Sequence, residues 1–460
     1  MSETSGEAIS SECDDMERRR RRFRWWPVVL ILLVLLALGL LSRRLYWRWQ
    51  FEARVAALEA AGYPVRAEQL EAMYPPLAPG QANAADLLRE AAELYRDSLS
   101  VQEVKLLPLA GDGEMPARGQ PMPPDVKEIV TRFLDENREG VERVHRAVRL
   151  DACRYPVPWS FDDAADWSLH RTYRSGSLLC LSALQSFDDG QAEAAVDALI
   201  AALRLARFVR QVPTLSAMLT YIEACDDVAV TLEWGLGRGS LADGQLHRLQ
   251  QAIGESDRPE TMAQALACHR CMLLPGFRRL ERYPNRLPRA PIAAVYGAMG
   301  LPSRDGTLFI DVAESYIDVT RKTMSRWQAE MTQVQTQWEP RLRRSMLLAD
   351  MAEGGFSGAL RIWLSRTARI ECVRAALAVE RHRLAQGALP EALADCAPGL
   401  LENVPADPFT GRELRYERLR SGFVVYSVGE DGRDDGGWEP PSRSQRALGQ
   451  TYDITFGVER

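Results

Sequence analysis

The first strong pattern along the chain is an unbroken apolar run. Residues Trp25–Leu41 read WWPVVLILLVLLALGLL, without a charge. A membrane-crossing helix needs about 20 apolar residues, with about 17 as the lower limit. Leu45, Tyr46 and Trp47 extend the run, and Arg43 and Arg44 can snorkel away from lipid on their long stems. The pattern therefore predicts a transmembrane anchor over residues 25–47. Aromatic side chains stand at both ends of it, where amphipathic rings suit the membrane–water interfaces.

Beyond the anchor the apolar positions recur with a period of about 3.6 as far as Thr367. Arg54–Ala61 continues the first helix until Gly62-Tyr63-Pro64 stops it. Asn83 can cap a helix reading ADLLREAAELYRDSL, in which Leu87, Leu88, Ala91 and Tyr95 share a face. Residues 107–124 read as a Gly/Pro loop, and Lys127–Leu150 as one helix. Arg171–Phe187 and Gln191–Val209 flank the turn Asp188-Asp189-Gly190, which predicts an αα-hairpin. Leu215–Trp234 is apolar on several faces, as a buried helix is. Ser240 to Asp243 looks like the start of a further helix. Residues 277–307 read as irregular. Helices are expected over Phe309–Met346 and Phe356–Gln386. No fixed repeat length emerges, so these hairpins predict an irregular array, a solenoid or a bundle.

The period changes again near the C-terminus. Gly387 and Pro390 end the last long helix. Glu413–Tyr416 and Gly422–Ser427 read as two short strands separated by a polar loop, and Tyr452–Val458 as a third. The expected fold class is mainly α, with a single transmembrane helix, an irregular α-hairpin array and a small C-terminal α+β module carrying a short antiparallel sheet. The expected organisation is a tail (1–24), the anchor (25–47), a helical domain (48–365) and the module (366–460).

Charge sets the orientation. Arg18–Arg22 and Arg24 precede the span, and Arg43, Arg44 and Arg48 follow it. The larger cluster predicts a cytoplasmic N-terminus with residues 50–460 outside. No small-x-small cleavage pattern precedes Arg43-Arg44, so the expectation is a retained anchor rather than a removed signal peptide. The tail has too few apolar residues to fold alone, and its arginines suit anionic lipid. The chain of 460 residues carries a net charge of −6. That excludes the basic excess typical of a nucleic-acid binder.

Candidate chemistry is sparse. There are five histidines in unrelated contexts, and no HExxH, GxSxG or P-loop pattern occurs. Of the eight cysteines, seven fall after the anchor, an odd number for a disulfide framework. Cys268-His269-Arg270-Cys271 lies in a stretch that reads as helix interior and so as core. Paired carboxylates can perform acid–base work. Glu223, Asp226 and Asp227 share one helix, and Asp162, Asp163 and Asp166 share a loop, but caps and ion pairs account for such residues equally well.

The C-terminal 85 or so residues are more specific. Arg383, Gly387, Pro390, Asp407, Pro408, Gly411, Tyr416, Tyr426, Ser427, Gly429, Asp431 and Gly432 follow an order and type that resembles the head of the major pseudopilin of type II secretion. The chain is also similar to large membrane-anchored helical proteins of bacteria. There Ala61-Gly62-Tyr63-Pro64 and Asn83-Ala84-Ala85 carry the likeness. The resemblance implies a helix followed by a small antiparallel sheet, and a calcium ion held by the acidic Gly-rich loop before the last strand. Asp431, Asp434, Asp435 and Asp453 occupy that stretch. Calcium takes six to eight oxygens from carboxylates and carbonyls on such loops. A solvated Asp/Gly turn is the alternative. The apolar span lies far upstream of the module and lacks a Gly-Phe-x-x-x-Glu processing pattern, so the module reads as reused for capping or docking.

Together these features predict a single-pass protein of the bacterial inner membrane, mostly periplasmic, that binds or scaffolds an envelope protein partner. The competing expectations are a divergent secretion-associated component and an envelope hydrolase using carboxylates.

Overall fold

The first helix, α1, runs without a break over Trp25–Ala60, well past the expected end of the span. In the computed structural model, the described residues are 25–159, 167–239, 241–254, 260–282, 295–345, 347–349, 355–438 and 452–460. The tail over 1–24, the acidic segment at 161–166 and Ser240 lie outside them. The chain divides into two compact units, Met1–Ala57 with Gly276–Thr307, and Leu58–Pro275 with Leu308–Arg460.

In the first unit, α1 is the one candidate membrane span among the described residues, and its apolar window is uncovered by the rest of the chain. Leu32 and Leu35 are 60% and 59% exposed. A core helix would bury such positions. The helix then gains partners at Phe51, which is almost wholly buried and meets Phe277 with ring centroids 6.3 Å apart. Glu52 receives a bidentate ion pair from Arg278, at 2.9 and 2.7 Å. The expectation that residues 277–307 are irregular is only partly met. A helix runs through Pro275 to Arg282, residues 295–298 are helical, and another helix begins at Leu301. Pro275 is tolerated inside its helix although it lacks an N–H to donate. The buried Asp305 carboxylate organises this segment, accepting from the Tyr296 hydroxyl and from Arg304.

In the second unit the helices are α2 (Ala67–Met73), α3 (Ala84–Leu94), α4 (Val101–Val104), α5 (Pro124–Glu136), α6 (Arg138–Ala147), α7 (Trp167–Asp188), α8 (Ala192–Arg210), α9 (Leu215–Arg238) and α10 (Asp243–Gly254). Then come α11 (Glu260–Arg282) and α12 (Leu301–Thr320), each shared in sequence with the first unit, α13 (Met324–Leu342) and α14 (Gly355–Gln386). Asn83 caps α3 as expected, its side chain accepting from the Ala85 amide at 3.2 Å. The single helix expected over Lys127–Leu150 is two. Buried Asn137 breaks it by accepting from the Arg96 amide at 2.8 Å and donating to the Arg96 and Phe133 carbonyls. The helix expected over Phe309–Met346 is likewise two, separated at residues 321–323.

The heart of this unit is the hairpin of α7 and α8, with α9 packed on both. Gly190 makes the turn between the first two at φ 72°, a left-handed conformation that glycine adopts without strain. The 32-residue α14 runs through the middle, touching α9, α10 and two strands. It therefore crosses the domain boundary expected at residue 365. The sheet is three-stranded and antiparallel in the order β1 (Arg415–Leu419), β2 (Gly422–Ser427), β3 (Ile454–Glu459). The first two strands pair Leu419 with Gly422, so a two-residue turn replaces the expected polar loop. The central strand β2 is buried at every position. The protein is thus mainly α with a small C-terminal antiparallel sheet, as the sequence predicts.

Candidate functional site

The acidic loop after β2 is built on a buried aspartate. Asp453 is 5% exposed, and its Oδ2 accepts the backbone N–H groups of Asp435 (3.1 Å) and Gly437 (2.8 Å). Its Oδ1 is buried without a hydrogen-bond partner. Burial pushes the Asp453 carboxyl up to about 6, against the pull of the two amides, with the Asp435 and Asp434 charges adding to the rise. Asp434 is spoken for: Oδ1 accepts from the Tyr426 hydroxyl and the Gly436 amide, both at 3.1 Å, and Oδ2 pairs with Arg415 at 2.8 Å. Asp431 accepts from the Arg433 amide at 3.0 Å, an ordinary Asx turn. Asp435 contributes its backbone and leaves its side chain exposed. Among the described residues no three His, Cys, Asp or Glu side chains are grouped as a metal site. Against the six to eight oxygens calcium takes, the described residues offer one buried oxygen without a hydrogen-bond partner, the Asp453 Oδ1, so as placed they do not form a closed calcium shell.

The other residues of the resemblance do meet. Asp407 is buried, its Oδ1 accepting from Phe409 N at 2.8 Å and its Oδ2 from Val428 N at 3.1 Å. The Gly411 amide donates back to the Asp407 carbonyl at 2.7 Å, and the Tyr416 hydroxyl donates to the Pro390 carbonyl at 3.0 Å. Arg383 holds Glu380, which is 1% exposed and also takes Arg460 at 2.6 Å. The Asp-Pro turn, the helix end and the hairpin are therefore one hydrogen-bonded assembly.

The carboxylates of α9 do not converge. Asp227 is buried and accepts from the Ser177 hydroxyl at 3.2 Å. Asp226 is half-buried and lies 3.9 Å from Arg369, and Glu223 is exposed. Asp162, Asp163 and Asp166 fall outside the described residues. Burial lowers the His145 and His269 imidazoles, which keeps both neutral at pH 7. Cys268 and Cys271 face the core with Leu70, and burial pushes their thiols up to about 12 and about 11. The seven cysteines among the described residues are all free and buried. A redox thiol needs the opposite, an exposed and acidified sulfur.

A concave site that sequence reading did not single out lies beside these cysteines. It is a cleft of about 400 Å³ whose walls include Pro64, Leu70, Met73, Ala267 and Ile317. Its polar groups are Tyr63, Gln264 and Arg321, and no carboxylate lines it. The Arg321 guanidinium lies 5.8 Å from the Tyr63 ring centroid and donates to the Tyr63 hydroxyl. On the ring's account a second cation is close. Arg270, fully buried, has its guanidinium carbon 5.2 Å from the Tyr63 centroid and is paired with Glu314. Burial pulls Arg270 down to about 10, which leaves it charged at pH 7. In the sequence Tyr63 stands out as part of a helix stop and of the Ala61-Gly62-Tyr63-Pro64 segment, not as a binding residue. Its partner Arg321 is 258 positions away, too far for any local pattern to connect them.

Compared with protein-family models, curated proteins and solved structures, the chain matches none.

Proposed function

We propose that this protein is a single-pass membrane-anchored binding or scaffold component of the bacterial envelope. In this reading the N-terminus is cytoplasmic and the bulk is periplasmic. The observation that carries it is the pairing of an uncovered apolar helix with an apolar cleft that contains no carboxylate. Binding sites are mostly apolar with a few placed polar groups, as Tyr63, Gln264 and Arg321 are here. A hydrolase using carboxylates needs two of them at one site, and those of α9 are dispersed at different depths. Fusing alkaline phosphatase to the C-terminus tests the orientation. Enzyme activity is expected, and an inactive fusion with a fluorescent cytosolic counterpart would reverse it.

A second reading is a divergent component associated with type II secretion, its module docking a pseudopilin-like partner. What favours it is the assembly of Pro390, Asp407, Gly411 and Tyr416, which the resemblance brought together from separate places in the sequence. Co-purification of pseudopilins with the full chain supports this reading. A pulldown free of them, from cells expressing the secretion system, counts against it.

A further inference from the structure

We propose that residues 295–304 seat at headgroup depth beside the anchor and, with the adjoining arginines of α1, bind the phosphates of anionic phospholipids. The proposal rests on the reading of α1 as a membrane span.

Position comes first. The apolar run ends at Leu41. At about 1.5 Å per residue, Arg44 lies about 4.5 Å farther along the axis and Phe51 about 15 Å. The headgroup regions add roughly 5–8 Å to each side of a hydrocarbon core of about 30 Å. Two contacts set the depth of the segment. A Cβ on Gly300 would come within 2.7 Å of the Arg44 Cα, so the backbones nearly touch there. Phe277 and Gly306 pack at Phe51, farther out. The helical turn at 295–298 and the start of α12 are therefore held at headgroup depth, and Phe277 just above it.

Chemistry agrees with the position. Over residues 42–57, 276–282 and 295–307 there are eight arginines and three acidic residues, in a chain whose total charge is −6. Two of those acids are already engaged, Glu52 by Arg278 and Asp305 by Arg304. Arg43 and Arg48 are exposed. In the same unit Val295 is 59% and Trp49 65% exposed, an apolar and an aromatic group of the kinds that favour a membrane interface. A cationic patch with apolar edges, fixed one turn beyond a span, matches the phosphate and glycerol layer of an anionic bilayer.

The test uses the full chain with Cys13→Ser, spin-labelled separately at Val295→Cys and at Leu36→Cys. It is reconstituted into vesicles of phosphatidylcholine alone or mixed equally with phosphatidylglycerol. The Leu36 label should be accessible to oxygen and not to a water-soluble nickel chelate in both. The Val295 label should lose chelate accessibility, more so with phosphatidylglycerol. In Arg43→Gln/Arg48→Gln that lipid dependence should vanish while Leu36 is unchanged. A Val295 label open to the chelate while Leu36 stays shielded would overturn the inference and leave the anchor standing. A Leu36 label in water would remove both. A shielded Val295 indifferent to phosphatidylglycerol would overturn the assignment to phosphate.

Discussion

Glu233 on α9 and Gly457 in β3 are joined by one carboxylate oxygen: Glu233 Oε1 accepts the Gly457 amide at 2.5 Å and an Arg118 guanidinium nitrogen at 2.8 Å. β3 is the last strand of the sheet, so its outer edge has no neighbouring strand among the described residues. An edge strand with unpaired amides is a template for unwanted pairing. Here helix side chains cover it. Glu233 takes an N–H, and Arg369 donates to the Thr455 carbonyl at 3.3 Å. Gly457 leaves room for the approach, since a Cβ there would stand 3.1 Å from the Arg118 guanidinium, which would have to shift slightly.

Removing that carboxylate leaves the Gly457 amide without this acceptor and takes one partner from Arg118, which also lies 3.8 Å from Glu459. Hydrogen bonds to charged groups contribute about 1.5–3 kcal/mol. Glu233→Ala is expected to destabilise the second unit by that order in urea unfolding. Amide exchange at Gly457 in β3 should accelerate well before that of α9. Unchanged protection at Gly457 would show that the strand is held by other means.

Asp453 makes stability depend on pH. Its carboxyl rises in the folded protein from 3.8 to about 6, so the fold favours the protonated form. That contribution is fully present below pH 4 and is lost as pH rises through about 6. Asp453→Asn keeps an oxygen for the two amides and carries no charge. Its melting temperature should exceed that of the wild type at pH 7–8, with the gain disappearing near pH 4. A gain that is equal at both pH values would exclude this cause.

The acidic loop closes through its own hydrogen bonds. Chelator added to the full chain in detergent should leave the melting temperature unchanged, while Asp453→Ala, which frees two amides, should lower it. A rise with millimolar calcium that is lost in Asp431→Ala would instead assign the loop as an ion site, as the resemblance implies.

Gly300 has φ 68° and almost touches the backbone at Arg44. Gly300→Ala meets both backbone strain and a clash, which together cost more than the roughly 0.4–1 kcal/mol typical of a glycine effect. Hydrogen exchange at residues 295–304 should rise while Gly457 stays protected.

Burial at Cys268 and Cys271 opposes thiolate formation. With Cys13→Ser, Ellman's reagent at pH 8 should react with the native chain only after denaturant is added. Prompt labelling of two thiols would reopen the redox reading of the CxxC.

Elements with a local signal were legible in the amino-acid order. An uncharged run of seventeen residues has one comfortable solvent, and it forms one continuous exposed helix. Periodicity placed α7, α8 and α9 to within a few residues, because an amphipathic stripe must face a core. A short run of aromatic and β-branched residues placed β2 at Gly422–Ser427. Local signals failed where one distant contact decides. Asn137 breaks a regular helical pattern because Arg96, 41 positions earlier, takes up its side chain. Residues 277–307 looked irregular through their prolines and arginines, yet packing at Phe51 and the ionic hydrogen bonds of Asp305 order the described part. The candidate site residues divide by proximity in sequence: Asp431, Asp434 and Asp435 of the acidic turn are neighbours and were legible, whereas the cleft joins Tyr63 to Arg321. Tertiary structure alone assigned the carboxylates of Glu233 and Asp453 to backbone amides, because a buried carboxylate's role is set by whichever donors the fold brings to it.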